Sequence, residues 1–113
     1  MMKKRGRVST EPRELLKPDY HEYDSIGKFL KDTRLYLKSK SKKKFTQLEV
    51  AFMCGYDVSQ QISNIEREAA LPSLDLAVKL MEIYGIEREA MYTLYMKYRE
   101  AQYRKVFLAK SIK

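Results

Sequence analysis

The chain has 113 residues, of which 44% are hydrophobic and 34% charged, and its formal net charge is +8. This length suits one small domain with short extensions. The single cysteine excludes an internal disulfide, and no apolar run approaches the roughly 20 residues of a membrane span. No apolar stretch follows the basic start, which argues against a secretory signal, so we expect a cytoplasmic protein. The positive charge suits a polyanion such as nucleic acid, although charge alone is weak evidence.

Few glycines and prolines and no regular β-alternation predict an all-α fold, which we interpret as five helices behind a basic, flexible tail. The tail covers residues 1–23 and contains Pro12 and Pro18. Its basic residues near the start are Lys3, Lys4, Arg5 and Arg7. Apolar side chains at helical spacing indicate a first helix over residues 25–38, which Asp24 or Ser25 can cap.

The second helix has the clearest start signal in the sequence. A lysine-rich run from Lys38 to Lys44 precedes it, and the repulsion between these like charges predicts an exposed loop or a frayed helix end. Thr46 is followed three residues later by Glu49, which is the pattern of a capping box. We expect the helix to end near Gly55, because glycine accepts the left-handed conformation that stops a helix.

Three more helices are predicted after the second. A short helix over residues 59–67 has one apolar face and short polar side chains elsewhere. Ser73 can cap a fourth helix that reaches Tyr84 and is ended by Gly85. The fifth segment, residues 87–108, contains no Gly or Pro, and its second half is basic and rich in tyrosine.

Several short motifs occur in a fixed order between residues 29 and 95. They are Arg34, then Thr46-Gln47-Leu48-Glu49-Val50-Ala51, then Gly55, then Ile62-Ser63-Asn64-Ile65-Glu66, then Pro72-Ser73. This pattern resembles the Cro and phage-repressor family of helix-turn-helix proteins, also called Xre-like, with one extra residue in the turn. The resemblance implies a helix-turn-helix DNA-binding domain over 24–86. It lies between the tail of residues 1–23 and a C-terminal helix over 87–113, which we expect to contact a dimer partner or another protein.

In this family the third helix lies in the major groove and the second helix crosses above it. The resemblance therefore implies that polar residues at the start of the third helix, and one turn later, contact base edges. These residues are Ser59, Gln60, Gln61 and Asn64. Gln and Asn can each bond adenine through two hydrogen bonds, which is a form of sequence readout. The alternative is that all four are ordinary solvated residues.

Phosphate contacts are predicted just before and at the start of the second helix. Gln47 opens that helix, where the resemblance implies either a phosphate contact or a brace for the recognition helix. Lys40, Lys42, Lys43 and Lys44 precede it and can neutralise phosphates, so binding would weaken steeply with salt. The alternative for these lysines is a loop that only favours solubility.

Other residues are expected to be structural. Arg34 and Glu66 match family positions that often form an ion pair between the first and third helices. Cys54 stands at a usually apolar position and is expected in the core. No other metal-ligating residues accompany His21 in the sequence at a ligand spacing, and we expect neither a metal nor a cofactor. Four tyrosines of the last segment are expected to pack or to form an interface: Tyr92, Tyr95, Tyr98 and Tyr103.

Two features depart from the family pattern. Glu68 stands where the family commonly has glycine, and Ala69 and Ala70 stand where it has basic residues, so we expect one common backbone contact to be lost. From Phe45 to Met96 there are three basic and eight acidic residues, which gives this stretch a charge of −5. Specific DNA binding would therefore need the basic flanks or a dimer.

Two functions fit these observations. The first is a sequence-specific, double-stranded DNA-binding transcriptional regulator, a repressor or activator, that acts as a homodimer on a two-fold site. An antitoxin that represses its own operon is a subtype. The second is a protein-interaction module that keeps the fold without reading DNA. The negative charge of the stretch from Phe45 to Met96 favours it. We do not expect an enzyme, because the sequence has no Ser/His/Asp set, phosphate-cradling loop or paired metal ligands.

Overall fold

The computed structural model of the protein describes residues 15–41 and 44–108. Within these residues the chain is helical, with no strand. The helices are α1 (Ile26–Lys40), α2 (Gln47–Met53), α3 (Gln60–Glu66), α4 (Leu74–Tyr84) and α5 (Arg88–Tyr103). A 3-10 turn at Tyr20–Glu22 precedes them, and a π-helical turn at Arg104–Leu108 continues α5. The prediction of an all-α fold with five helices is confirmed.

The helix boundaries follow from local signals in the sequence. The side-chain oxygens of Ser25, Thr46 and Ser73 each accept a hydrogen bond from a backbone amide in the first turn of α1, α2 and α4. Such caps stabilise a helix by about 1 kcal/mol each, because they satisfy amides that have no partner inside the helix. Gly55 and Gly85 have φ values of 95° and 70°, so glycine stands where the chain turns out of α2 and α4.

All five helices contribute to one hydrophobic core. The largest fully buried side chains come one from each helix, namely Leu30, Val50, Ile62, Leu80 and Leu94. A helix as short as α2 or α3 is marginal alone in water, so this shared burial is what holds both in place. None of the described helices is both long and apolar enough to cross a lipid bilayer.

The end of the predicted tail is packed against the domain. Tyr20 and Tyr23 pack on the core, and the Tyr23 hydroxyl donates a 2.6 Å hydrogen bond to the carboxylate of Asp32 on α1. Lys97 of α5 donates a 2.7 Å hydrogen bond to the Tyr23 carbonyl. The expected flexibility of the tail therefore does not extend to these residues. The basic arm from Lys3 to Arg7 lies outside the described residues.

Cys54 lies in the core, as expected, and is only 4% exposed. Burial raises the pKa of its thiol above the usual value, which keeps it in the unreactive protonated form. Its carbonyl accepts a hydrogen bond from the Lys79 ammonium at 3.3 Å, which ties the end of α2 to α4. The residue is therefore part of the packing between these helices.

Candidate nucleic-acid interface

α3 has one buried face and one exposed face. Ile62 and Ile65 are each 2% exposed and fix the helix to the core. Gln60 and Gln61, at the start of the helix, are exposed, and Asn64 is half-buried. The side chains predicted to read bases therefore lie at the surface, on a helix whose inner face is anchored.

Three of the polar side chains on α3 and at its end are hydrogen-bonded to one another. The Gln60 amide donates to Asn64 Oδ1 at 3.0 Å, and the guanidinium of Arg67 donates to the same oxygen. Positions 60, 64 and 67 are separated by four and three residues, so they form one ridge along the helix surface. We call Gln60, Asn64 and Arg67 the α3 ridge.

Arg67 is a surface residue that sequence reasoning did not assign to the site. The spacing of seven residues from Gln60 was the signal that could have placed it on the same helix face. In the ridge, Asn64 Oδ1 accepts two hydrogen bonds. No other described residue bonds Gln60 Oε1 or the Asn64 amide nitrogen, so the ridge presents both donors and acceptors to solvent.

Gln61 and Ser59 border the ridge without joining it. Gln61 follows Gln60 and projects about 100° further round the helix, given 3.6 residues per turn. Ser59 occupies the N-cap position of α3, but its hydroxyl makes no capping hydrogen bond. Both side chains are therefore placed near the ridge, and neither is used to stabilise the helix.

The C-terminal end of α3 is anchored by a buried ion pair. Arg34 Nε donates to Glu66 Oε2 at 2.7 Å, and Nη2 donates to Oε1 at 3.0 Å. Arg34 Nη1 also donates to the Phe45 carbonyl at 2.9 Å. The Gln47 amide donates to Glu66 Oε1 at 2.9 Å, so Gln47 braces α3, which is one of the two roles that the resemblance implied. One carboxylate thus joins α1, the start of α2 and α3.

Residues 36–90 match the family model described as helix-turn-helix, and this span runs from the last third of α1 to the first turn of α5. The match covers 55 of the 113 residues and shows that the chain contains a helix-turn-helix domain of the Cro/phage-repressor type. The Cro/phage-repressor family is one of DNA-binding transcription regulators and is not an enzyme family. No curated protein and no solved structure matches the chain.

In this helix-turn-helix protein, two of the four predicted phosphate-binding lysines can be placed. Lys40 ends α1, and its ammonium lies 5.8 Å from the centre of the Tyr36 ring. Lys44 precedes α2 and is exposed. Lys42 and Lys43 lie outside the described residues. The basic run therefore leads directly into the helix-turn-helix from its N-terminal side.

Glu68 follows the end of α3 in an unusual conformation for a glutamate. Its φ is 65°, in the left-handed region. The Glu68 amide donates to the Ile65 carbonyl at 3.0 Å, and the Ala69 amide donates to the Asn64 carbonyl at 2.9 Å. These two bonds form a Schellman motif, in which the left-handed position is usually glycine. α3 therefore ends in a glycine-type turn with a glutamate at the left-handed position.

Proposed function

We propose that the protein is a sequence-specific, double-stranded DNA-binding transcription regulator that acts as a homodimer, with α3 in the major groove. The observation that carries the proposal is the α3 ridge. It is a continuous row of hydrogen-bonding side chains on the outer face of a helix whose inner face and C-terminal end are fixed. A row of this kind, held in place before binding, suits the reading of base edges.

We assign base readout to the α3 ridge together with Ser59 and Gln61. Glutamine and asparagine suit adenine, because each offers a donor and an acceptor with the spacing of adenine N7 and N6. Arg67 suits guanine or a neighbouring phosphate, since a guanidinium only donates. The ridge therefore predicts a recognition sequence that contains adenine at the position of Gln60.

Affinity for the DNA backbone is assigned to the lysines that precede α2, since the Gln47 amide is held by the Glu66 carboxylate. The lysines are Lys40, Lys42, Lys43 and Lys44. The domain from Phe45 to Met96 carries three basic and eight acidic residues. Phosphate repulsion by this excess of five negative charges has to be offset by the basic flanks, so binding should depend steeply on salt.

In-vitro selection from random duplex DNA at physiological salt tests this proposal. We expect enrichment of a two-fold site. Gln60→Ala should weaken binding to that site by roughly 1–3 kcal/mol and relax one base position in each half. Lys43→Ala should weaken binding to all duplexes alike. It should also reduce by about one the slope of the logarithm of the binding constant against the logarithm of the salt concentration.

Gln102→Ala, an exposed glutamine on α5, is the matched control and should leave the selected sequence unchanged. An unchanged base preference in Gln60→Ala would show that α3 is placed wrongly. Retention of DNA without any enriched sequence would leave a non-specific binder. Either result contradicts the proposed readout.

A second candidate is a protein-interaction module that keeps the fold but does not read DNA. The excess of acidic residues between Phe45 and Met96 favours it, as does the negative charge of Glu68 beside the end of α3. Under this alternative the selection retains no duplex even at low salt, and charge reversal of Lys42 to Lys44 leaves partner binding unchanged. An autorepressing antitoxin combines both candidates, because it reads DNA and also holds a second protein.

A further inference from the structure

The α3 ridge fixes which atoms of Asn64 are left for a ligand. The guanidinium of Arg67 donates a hydrogen bond to Asn64 Oδ1, and a guanidinium has no acceptor, so the atom that faces it has to be the amide oxygen. Gln60 Nε2 lies 3.0 Å from the same oxygen. Because that oxygen cannot donate, the Gln60 atom that meets it has to be the amide nitrogen. The chemistry of the three groups therefore settles the orientation of both side-chain amides.

The two hydrogen bonds use the whole acceptor capacity of Asn64. An amide oxygen has two lone pairs, and Arg67 and Gln60 each occupy one of them. No described residue bonds the amide nitrogen of Asn64, so both of its N–H groups are left for a ligand. Asn64 therefore presents donors only. Gln60 differs, because it keeps its own oxygen and one N–H group and can both accept and donate.

We infer that Asn64 reads a base that presents only acceptors, namely guanine, and that Arg67 is a positioning residue which sets this preference. The inference rests on the proposed function, in which α3 lies in the major groove. Guanine presents two neighbouring acceptors there, N7 and O6, whereas adenine presents the acceptor N7 beside the donor N6. Thymine offers the single acceptor O4 and comes second. Asn64 has no free lone pair for adenine N6, so the ordinary preference of asparagine for adenine is lost.

Removal of the Arg67 guanidinium would free one lone pair of Asn64 Oδ1. The side chains of Gln60 and Asn64 could then also bond in the opposite sense, with the Asn64 amide donating to Gln60 Oε1. Asn64 would present an acceptor as well as a donor, and adenine would become acceptable beside guanine. Arg67 therefore controls the base preference of Asn64 without any contact between the guanidinium and that base.

In-vitro selection from random duplex DNA tests the inference on the full chain. Asn64→Ala identifies the base that Asn64 reads, as the position whose preference the variant loses. We expect guanine there in the wild type, favoured over adenine about 10-fold or more. Arg67→Met removes the donors and should reduce this ratio to about threefold or less. Arg99→Met, which removes an exposed arginine of α5, is the matched control and should keep the ratio. Circular dichroism checks that each variant is folded.

Asn64→Asp gives a second readout, because it inverts the polarity of the side chain. A carboxylate only accepts, so it can still receive the hydrogen bonds of Gln60 and Arg67 and present its second oxygen to the DNA. The selected base should then change from guanine to cytosine, whose N4 group donates. A purely structural role of Asn64 would not produce this exchange.

The inference and the proposed function can fail separately. Enrichment of a site with adenine at the Asn64 position would overturn the inference and leave sequence-specific binding standing. So would an Asn64→Ala variant that keeps the preference at every position. A guanine preference that persists at full strength in Arg67→Met would overturn the positioning role of Arg67. Absence of any enriched sequence would refute the proposed function, and the inference with it.

Discussion

Arg34 and Glu66 are 32 positions apart in the chain and are joined by two hydrogen bonds of 2.7 and 3.0 Å. Their side chains are 8% and 3% exposed, so the pair is shielded from solvent and salt. With the bonds to the Phe45 carbonyl and from Gln47, the pair connects three helices at the C-terminal end of α3. The position of α3 against α1 and α2 therefore depends on one buried carboxylate.

Removal of that carboxylate should be costly. Glu66→Ala leaves the Arg34 guanidinium buried without its counter-ion, and we expect a loss of about 3–5 kcal/mol in the free energy of unfolding. The double variant Arg34→Leu/Glu66→Leu buries no unpaired charge and should be more stable than Glu66→Ala. Urea unfolding measures both. A loss below about 1 kcal/mol in Glu66→Ala would mean that the pair does not hold α3.

Local sequence signals were sufficient to predict the five helices, the capped starts of α1, α2 and α4, and the end of α4. The three capping side chains, Ser25, Thr46 and Ser73, accept hydrogen bonds from amides three residues later. Gly85 ends its helix because glycine can adopt a positive φ. No knowledge of tertiary structure was needed for either signal. The partners of the Arg34 pair came instead from the family resemblance, because nothing local relates residues that are 32 positions apart.

The features that the sequence did not reveal depend on contacts across the fold. Tyr23 is fixed by Asp32 and by Lys97, which is 74 residues away, while its surroundings in the chain suggested a flexible tail. Arg67 was missed for another reason. Its side chain joins the ridge through a hydrogen bond to Asn64, whereas the motif that carries the family resemblance ends at Glu66. The roles of the ridge and of the lysines in DNA binding remain predictions.

Gly27 lets α1 and α3 approach closely. A Cβ atom at this position would lie 2.2 Å from the Ile65 carbonyl oxygen, which is backbone and cannot rotate away. Gly27→Ala should therefore push the two helices apart and destabilise the protein by about 1–3 kcal/mol or more. Specific DNA binding should also weaken, because α3 moves. Lys28→Ala, at the exposed neighbouring position, is the control in thermal unfolding, and equal stability of the two variants would contradict the close approach.

The left-handed conformation of Glu68 should be a source of strain. In this region a residue with a Cβ atom has a conformational free energy roughly 1–2 kcal/mol less favourable than that of glycine. Part of this difference is offset by the greater freedom of glycine in the unfolded chain. We expect Glu68→Gly to stabilise the protein by up to about 1 kcal/mol in urea unfolding. Glu68→Gln keeps the strain and removes only the charge, so it should give no such gain. An equal gain in both variants would point to charge repulsion instead.

The Tyr23 hydroxyl should make stability depend on alkaline pH. Partial burial and the hydrogen bond to the Asp32 carboxylate raise the pKa of Tyr23 from its ordinary value of 10 to about 12. Between these values the unfolded chain has lost the proton and the folded protein keeps it, so the free energy of unfolding falls as the pH rises. Below pH 10 the contribution is fully present.

Tyr23→Phe removes both the hydrogen bond and the titrating group. We therefore expect the variant to be less stable than the wild type at pH 8, and the difference to shrink steadily as the pH rises to 11, in urea titrations at each pH. Asp32→Asn removes the carboxylate that favours the protonated hydroxyl, so its own stability should fall less between pH 8 and pH 11 than that of the wild type. A constant difference between wild type and Tyr23→Phe across this range would show that the hydroxyl loses its proton equally in both states, and would contradict the role of Tyr23 in anchoring the segment before α1.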